Sequence, residues 1–125
     1  MSASIGSLLL AMVICLEAEG EPFQGKVGVA YVAVNRSEQW GQPLTQVLMA
    51  PHQFGGWRQA ERLEYLAPPT WRNCERAAQI VITRAAPDPT FGAVHFLSDR
   101  DLQRPPVWVR QVRITTKIGR HTFFK

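Results

Sequence analysis

Glu17, Glu19 and Glu21 stand at alternate positions in the stretch CLEAEGEPFQG, residues 15–25, between an apolar run and a proline. A carboxyl group can act as an acid near neutral pH only where burial or a nearby negative charge holds its proton. Glu17 has the strongest claim of the three. It follows Leu8, Leu9, Met12, Val13 and Leu16, whose i, i+3, i+4 spacing predicts a helix from Ile5 to Leu16. At the C-terminal end of an apolar helix, desolvation and the negative pole of the helix both disfavour the ionised form. The residues alone leave a second reading open, in which Glu17 is solvated beyond the helix. Glu19, between Ala18 and Gly20, is expected in a solvated turn, and Gly20 reads as the helix stop. Glu21 ahead of Pro22 reads as a helix N-cap with proline at the first helical position, from which it can also hold a substrate hydroxyl or tune Glu17.

A second constellation is HQFGGW, His52 to Trp57. Gln53 offers an amide, Phe54 and Trp57 offer flat apolar faces, and Gly55 and Gly56 let backbone approach a ligand. Amide plus aromatic platform suits a sugar, whose C–H faces stack and whose hydroxyls hydrogen-bond; core packing of the two rings is the competing reading. His52, His95 and His121 are far apart, with no HxxxH, HxH or CxxC pattern, so neither a metal site nor a cofactor is expected. The sequence contains no G-x-S-x-G, and GKVGVA lacks P-loop spacing, which argues against serine-nucleophile and nucleotide chemistry.

These residues need elements to position them. After the first helix, FQGKVGVAYVAVNR predicts a central, largely buried helix, with Val27, Tyr31 and Val34 on one face and Gly25, Gly28, Ala30 and Ala33 allowing close packing. QPLTQVLMAP reads as a short helix between Pro43 and Pro51, and the following chain to Pro68-Pro69 as loosely helical. Thr70 is the expected N-cap of WRNCERAAQIVITRAA, whose stripe is Cys74, Ala77, Ala78, Val81 and Ala85. AVHFL is strand-like, SDRDLQRPPVW a loop, and VRQVRITTKIGRHTFFK two short strands about a turn at Gly119. Helices first and a small sheet last make an α+β fold, expected as a single domain over residues 1–125.

A hydrophobic content of 46% suffices for a core, and 14 Lys and Arg against 10 Asp and Glu give a net charge of +4, which favours anionic partners without choosing among them. Cys15 and Cys74 each fall in an apolar helical stretch, which favours two buried free thiols over a disulfide. The N-terminal apolar run imitates a secretory signal. No Lys or Arg precedes Lys26, however, Ile14 rather than a small residue precedes Cys15, and the run is too short to span a bilayer, so it reads as a core helix and neither signal peptide nor membrane anchor.

The stretch EAEGEPFQGKVGVAYVAVNR resembles the EARGEP...G...V..V..NR signature of the SleB/CwlJ-type cell wall hydrolases, the family of spore cortex-lytic enzymes. HQFGGW is similar to that family's QFS.W segment, FGAVHFL to its GA.HY strand, and TTKIGRHTFFK to its closing IG.H.FY. The resemblance implies a lysozyme-like α+β domain that cleaves peptidoglycan between N-acetylmuramic acid and N-acetylglucosamine as a lytic transglycosylase, with Glu17 as the catalytic acid/base. It also implies a cleft lined by Glu21, by Gln53, Phe54 and Trp57 on one side and by His95 and Trp108 on another, with Asn35 or His121 bracing the floor. Glu19 stands where the family often has arginine, and Gly55 replaces the serine after Gln53-Phe54. The expected partner is the peptidoglycan glycan strand, acted on by a monomer, with no nucleic acid and no membrane-spanning segment. The expected setting is that of a phage endolysin made in the host cytoplasm and released to the wall through a holin. Two alternatives are a hydrolytic muramidase using a second carboxylate, Asp99 or Asp101, and a non-catalytic module that binds cell wall or nucleic acid.

Overall fold

The computed structural model describes residues 4–51 and 53–125. Helix α1 runs Ile5–Ala18 and is capped by Ser4, whose hydroxyl accepts from the Ser7 amide at 3.0 Å. Its second half is buried on almost every side, at Leu10, Ala11, Val13, Ile14, Cys15, Leu16 and Ala18, whereas Leu8 is exposed. The expected one-sided stripe is therefore too narrow, because α1 is packed by α2, Phe23–Trp40, by α3, Leu44–Met49, by the 3-10 segment Gly55–Tyr65 and by α4, Pro68–Ile82. Two short 3-10 turns, Asp101–Gln103 and Val107–Gln111, follow the helices.

Helix α2 is the central helix predicted. It ends on Gly41, whose left-handed backbone (φ 63°) returns its amide to the Ser37 carbonyl. At Gly28 a Cβ would lie 2.9 Å from the Phe123 ring and 3.1 Å from Thr90 Cγ2, so the missing side chain brings the sheet onto the helix. Two helix starts differ from the sequence reading. Helix α2 is preceded by Pro22 at the cap position, with no side-chain cap, so Glu21 is not an N-cap. Helix α4 begins at Pro68 after Ala67, two residues ahead of Thr70, since proline needs no amide partner in a first turn.

The sheet holds β1, His95–Ser98, β2, Ile114–Ile118, and β3, His121–Phe124, all antiparallel in the order β1-β3-β2. Central β3 is buried at every residue, and Phe123 packs with Ala18, Val29, Val32 and Ala93. Phe96 bridges this cluster and the larger helical one. Fully burying side chains of this size contributes about 1.5–3 kcal/mol each.

The expectation of free thiols is overturned: Cys15 and Cys74 form a disulfide between α1 and α4, with Cα atoms 5.7 Å apart. Small neighbours, Ala11, Ala77 and Ala78, are fully buried where these helices meet and let them approach to disulfide range. Among the described residues no helix is long and apolar enough to cross a membrane.

Candidate active site

The last turn of α1 delivers Glu17 to the wall of two adjoining hollows, of about 330 and 490 Å³. Leu16, Glu17, Arg62, Ser98, Arg100 and His121 line both. Glu17 is partly buried, and its proton is held above the ordinary carboxylate range. Burial contributes most, the negative charge of Asp101 adds to it, and Arg36, a hydrogen bond from the Gly56 amide and Arg62 pull the other way without cancelling it. Gly56 is required for this seat: a Cβ there would lie 2.7 Å from Leu16 Cβ and 2.9 Å from Glu17 Oε2. Gly55 is exposed with nothing near its missing side chain, so the second glycine of the pair makes the close approach.

The turn after Glu17 is built from the other two glutamates. Lys26, buried in α2, donates through Nζ to the Glu19 carbonyl at 2.9 Å and the Glu21 carbonyl at 2.7 Å, so one cation stitches α1 to α2. Glu19 is exposed as expected and pairs loosely with Arg62. The buried Glu21 carboxylate accepts from the Arg120 amide at 2.7 Å and from Arg120 Nε at 3.0 Å. Burial pushes the Glu21 carboxyl up, but these two bonds and the charges of His121 and Arg120 outweigh it, and its net position is below the ordinary range. Gly119, at φ 58°, is needed here, because a Cβ would come within 2.8 Å of Pro22 Cδ and closer still to Glu21 Oε1. The Arg120 carbonyl in turn accepts from the Asp99 amide at 2.9 Å. The β2–β3 turn and the loop after β1 are thus both tied to the junction that carries Glu17.

His121 is the other residue expected in the cleft that lines both hollows; Glu21 lines the smaller. The His121 ring packs 5.0 Å from Phe96, its Nδ1 is buried without a partner among the described residues, and burial, foremost, pushes the imidazole pKa down. The remaining expected residues are not among the side chains lining these hollows. Asn35 instead donates to Asp88 and to the Ala93 carbonyl, both at 2.9 Å, bracing the loop before β1. Phe54 is buried against Phe96, and the Trp57 indole donates to the Leu48 carbonyl at 2.8 Å while packing on the helical core; both rings line a separate hollow of about 300 Å³ with Met49 and Arg58. Gln53 is exposed in the preceding turn, and His52 lies outside the described residues. His95 stacks on Trp108 at 4.6 Å, and Trp108 meets Phe124 edge-on, so this pair covers the sheet.

A family model described as cell wall hydrolase matches residues 20–124. The chain belongs to the cell wall hydrolase family. Two solved structures are similar to this hydrolase. The catalytic domain of the Bacillus cereus SleB protein is 28% identical, with a TM-score of 0.76 over 99% of this chain and 93% of that one. The catalytic domain of the germination-specific lytic transglycosylase SleB from Bacillus anthracis is 27% identical, with a TM-score of 0.76 over 99% of this chain and 98% of that one. Among curated proteins, none matches the chain. The mainly helical, lysozyme-like α+β fold expected of this wall hydrolase is the one observed. Glu17 lies ahead of the family match, and the structural likeness, spanning 99% of the chain, reaches it.

The wall hydrolase has site residues that sequence reasoning missed or left among loop candidates. Arg62 and Arg120 look like dispersed surface charge, and Arg36 stands out only as the last residue of the first motif; no local pattern marks a cation that meets its partner across the fold. Asp101 is one of two loop aspartates. Of the two, Asp99 pairs with Lys117 at 3.0 Å and lines the smaller hollow. Asp101 forms no ion pair among the described residues, its amide is anchored on Ser98 Oγ at 3.1 Å, and it lines the larger hollow with Glu17. After burial, its charge is the next influence that raises the pKa of Glu17, so Asp101→Asn is expected to lower that pKa. A general acid works while protonated, and activity is lost as pH rises through its pKa. The alkaline limb of the pH–rate profile of Asp101→Asn is therefore expected at lower pH than in the wild type; an unmoved limb would contradict the coupling.

Proposed function

We propose that this enzyme cleaves peptidoglycan glycan strands between N-acetylmuramic acid and N-acetylglucosamine as a lytic transglycosylase, with Glu17 as its acid/base. The observation that carries the reading is a partly buried carboxyl on the wall of a cleft, whose burial favours its protonated form. Similarity to the Bacillus anthracis enzyme, itself a lytic transglycosylase, supports the same choice. Glu17 gives its proton to the glycosidic oxygen as the C1–O bond breaks and the bonding electrons leave with that oxygen. The resulting carboxylate then takes the proton of the muramic acid C6 hydroxyl, whose oxygen closes on C1 to leave a 1,6-anhydro end. One carboxyl serves both halves, so no carboxylate pair is required. Glu21 and His121 border the glycan in this reading, Glu21 by placing the Arg120 side chain beside it.

A hydrolytic reading has one observation in its favour, the unpaired Asp101 on the same hollow, which could activate a water in place of the C6 hydroxyl. Mass spectrometry of purified wall digested by the enzyme separates the two. Glycan ends about 18 Da lighter than the hydrolysed form are expected; reducing ends throughout would replace the transglycosylase with a muramidase.

The biological setting that we propose is lysis by a phage endolysin released from the host cytoplasm through a holin. The Cys15–Cys74 bridge suits action on the oxidising side of the membrane, and the net charge of +4 suits an anionic envelope.

A further inference from the structure

Arg36 is a buried cation that the mechanism above leaves without a task. It projects from α2 with 7% of its surface exposed. Its Nε donates to the Val94 carbonyl at 2.7 Å, and its guanidinium carbon lies 4.9 Å over the Phe54 ring and 5.5 Å over Trp40. Nη1 is buried with no hydrogen-bond partner among the described residues, and Arg36 forms no ion pair among them. A buried charge without a counter-ion is expensive. Phe54, beneath the guanidinium, packs 6.4 Å from Phe96, which lines the larger hollow with Glu17, so Arg36 sits behind the wall that carries Glu17, and the two charges act on each other.

We infer that Arg36 is a positioning residue that acts through Glu17, a buried counter-charge held off ion-pair contact, which stabilises the carboxylate formed when Glu17 gives up its proton. Burial favours the protonated form of Glu17, and in that form the guanidinium has no counter-charge. As the proton moves to the glycosidic oxygen, the new carboxylate and the fixed cation come into balance, so proton donation is favoured. Arginine suits the task because it stays charged when buried. Burial lowers its pKa to about 10, against the opposing pull of Glu17, and it remains a cation at neutral pH. Phe54 and Trp40 hold it in place, which gives Phe54 a role in the site without substrate contact.

The other groups acting on Glu17 are Asp101 from the turn after β1 and Arg62 and the Gly56 amide from the segment Gly55–Tyr65. His121 of β3, whose pKa burial lowers, and Arg100 line both hollows, and Asp99 lines the smaller. Arg36 is distinguished from Arg62 by burial, because exposed Arg62 is screened by solvent and already paired with Glu19.

The inference rests on Glu17 being the acid, and the test reads the two claims separately. The Glu17 carboxyl is titrated by carbon-13 NMR, assigned by its disappearance in Glu17→Gln, in wild type, Arg36→Met, Arg36→Gln and Arg36→Lys, beside pH–rate profiles on purified peptidoglycan. Arg36→Met keeps an apolar stem of similar length, and Arg36→Gln keeps a donor for the Val94 carbonyl if the first does not fold. In a charge-free variant the Glu17 midpoint is expected to rise by about 0.5–1 unit, a three- to tenfold gain in proton affinity. The alkaline limb should follow it, and kcat at the optimum should fall about tenfold with KM little changed. Arg36→Lys is expected to return the midpoint towards the wild-type value. A midpoint that stays put in a folded charge-free variant overturns the role of Arg36. A midpoint that moves while the rate profile does not would instead remove Glu17 as the acid, and the inference with it.

Discussion

Glu17→Gln is expected to abolish lysis of purified peptidoglycan while leaving the fold intact. General acid–base catalysis supplies about 10²–10⁴ in rate. In the proposed mechanism the same carboxyl serves both half-reactions, so the loss should lie at or beyond the upper end of that range. Glutamine matches glutamate in shape and keeps an oxygen to accept from the Gly56 amide. It has no proton to give and no basicity to recover one. Stability should move little, and in a definite direction. A carboxyl whose folded pKa is raised stabilises the fold while protonated and withdraws that contribution as pH rises from its unfolded value through its folded one. Glutamine carries no such loss, so above that window the variant should melt at or slightly above the wild-type temperature. Residual turnover by product analysis and melting by circular dichroism check both parts. Full activity in a folded Glu17→Gln protein would leave the enzyme without its acid and favour the binding-module reading.

Replacing both cysteines by alanine, or reducing the bridge, should produce the largest change in stability. The disulfide closes a loop with a sequence separation of 59 residues. In the chain-entropy treatment, closing a loop of that length is worth about 4 kcal/mol. For a chain of this size such a loss lowers the melting temperature by roughly 10–20 °C. Activity at low temperature should survive, since Gly56 and Lys26 seat Glu17 and its turn independently of the bridge. A melting temperature unchanged by reductant would mean that the alanine-lined contact of α1 and α4 holds without the covalent link.

These two expectations differ in where they could first be seen. Glu17 was legible in the sequence because its signal is local: an apolar helix, its end, and a motif around it. Glycine and proline likewise announced the short helix before Pro51 and the turn at Gly119, since backbone freedom and a missing amide act within a few residues. The strands and their hairpin were readable as short β-like runs about a glycine turn, and with them the α+β class. Cysteine pairing was not readable, because two thiols in apolar helices look alike whether or not the helices cross at those positions.

The same limit accounts for most of the site. Glu21 has every local mark of a cap, yet its carboxylate is taken by Arg120, 99 residues later, when the hairpin folds back on the α1–α2 junction. Trp57 and Phe54 look like a sugar platform, yet one indole is claimed by the Leu48 carbonyl and the other ring by Arg36 and Phe96. The sequence by itself determined the elements, their order and the family, and singled out Glu17 as the candidate acid. Tertiary structure alone decided which charges surround that acid, since an electrostatic field depends on distances in space, and neither periodicity nor capping carries information about those.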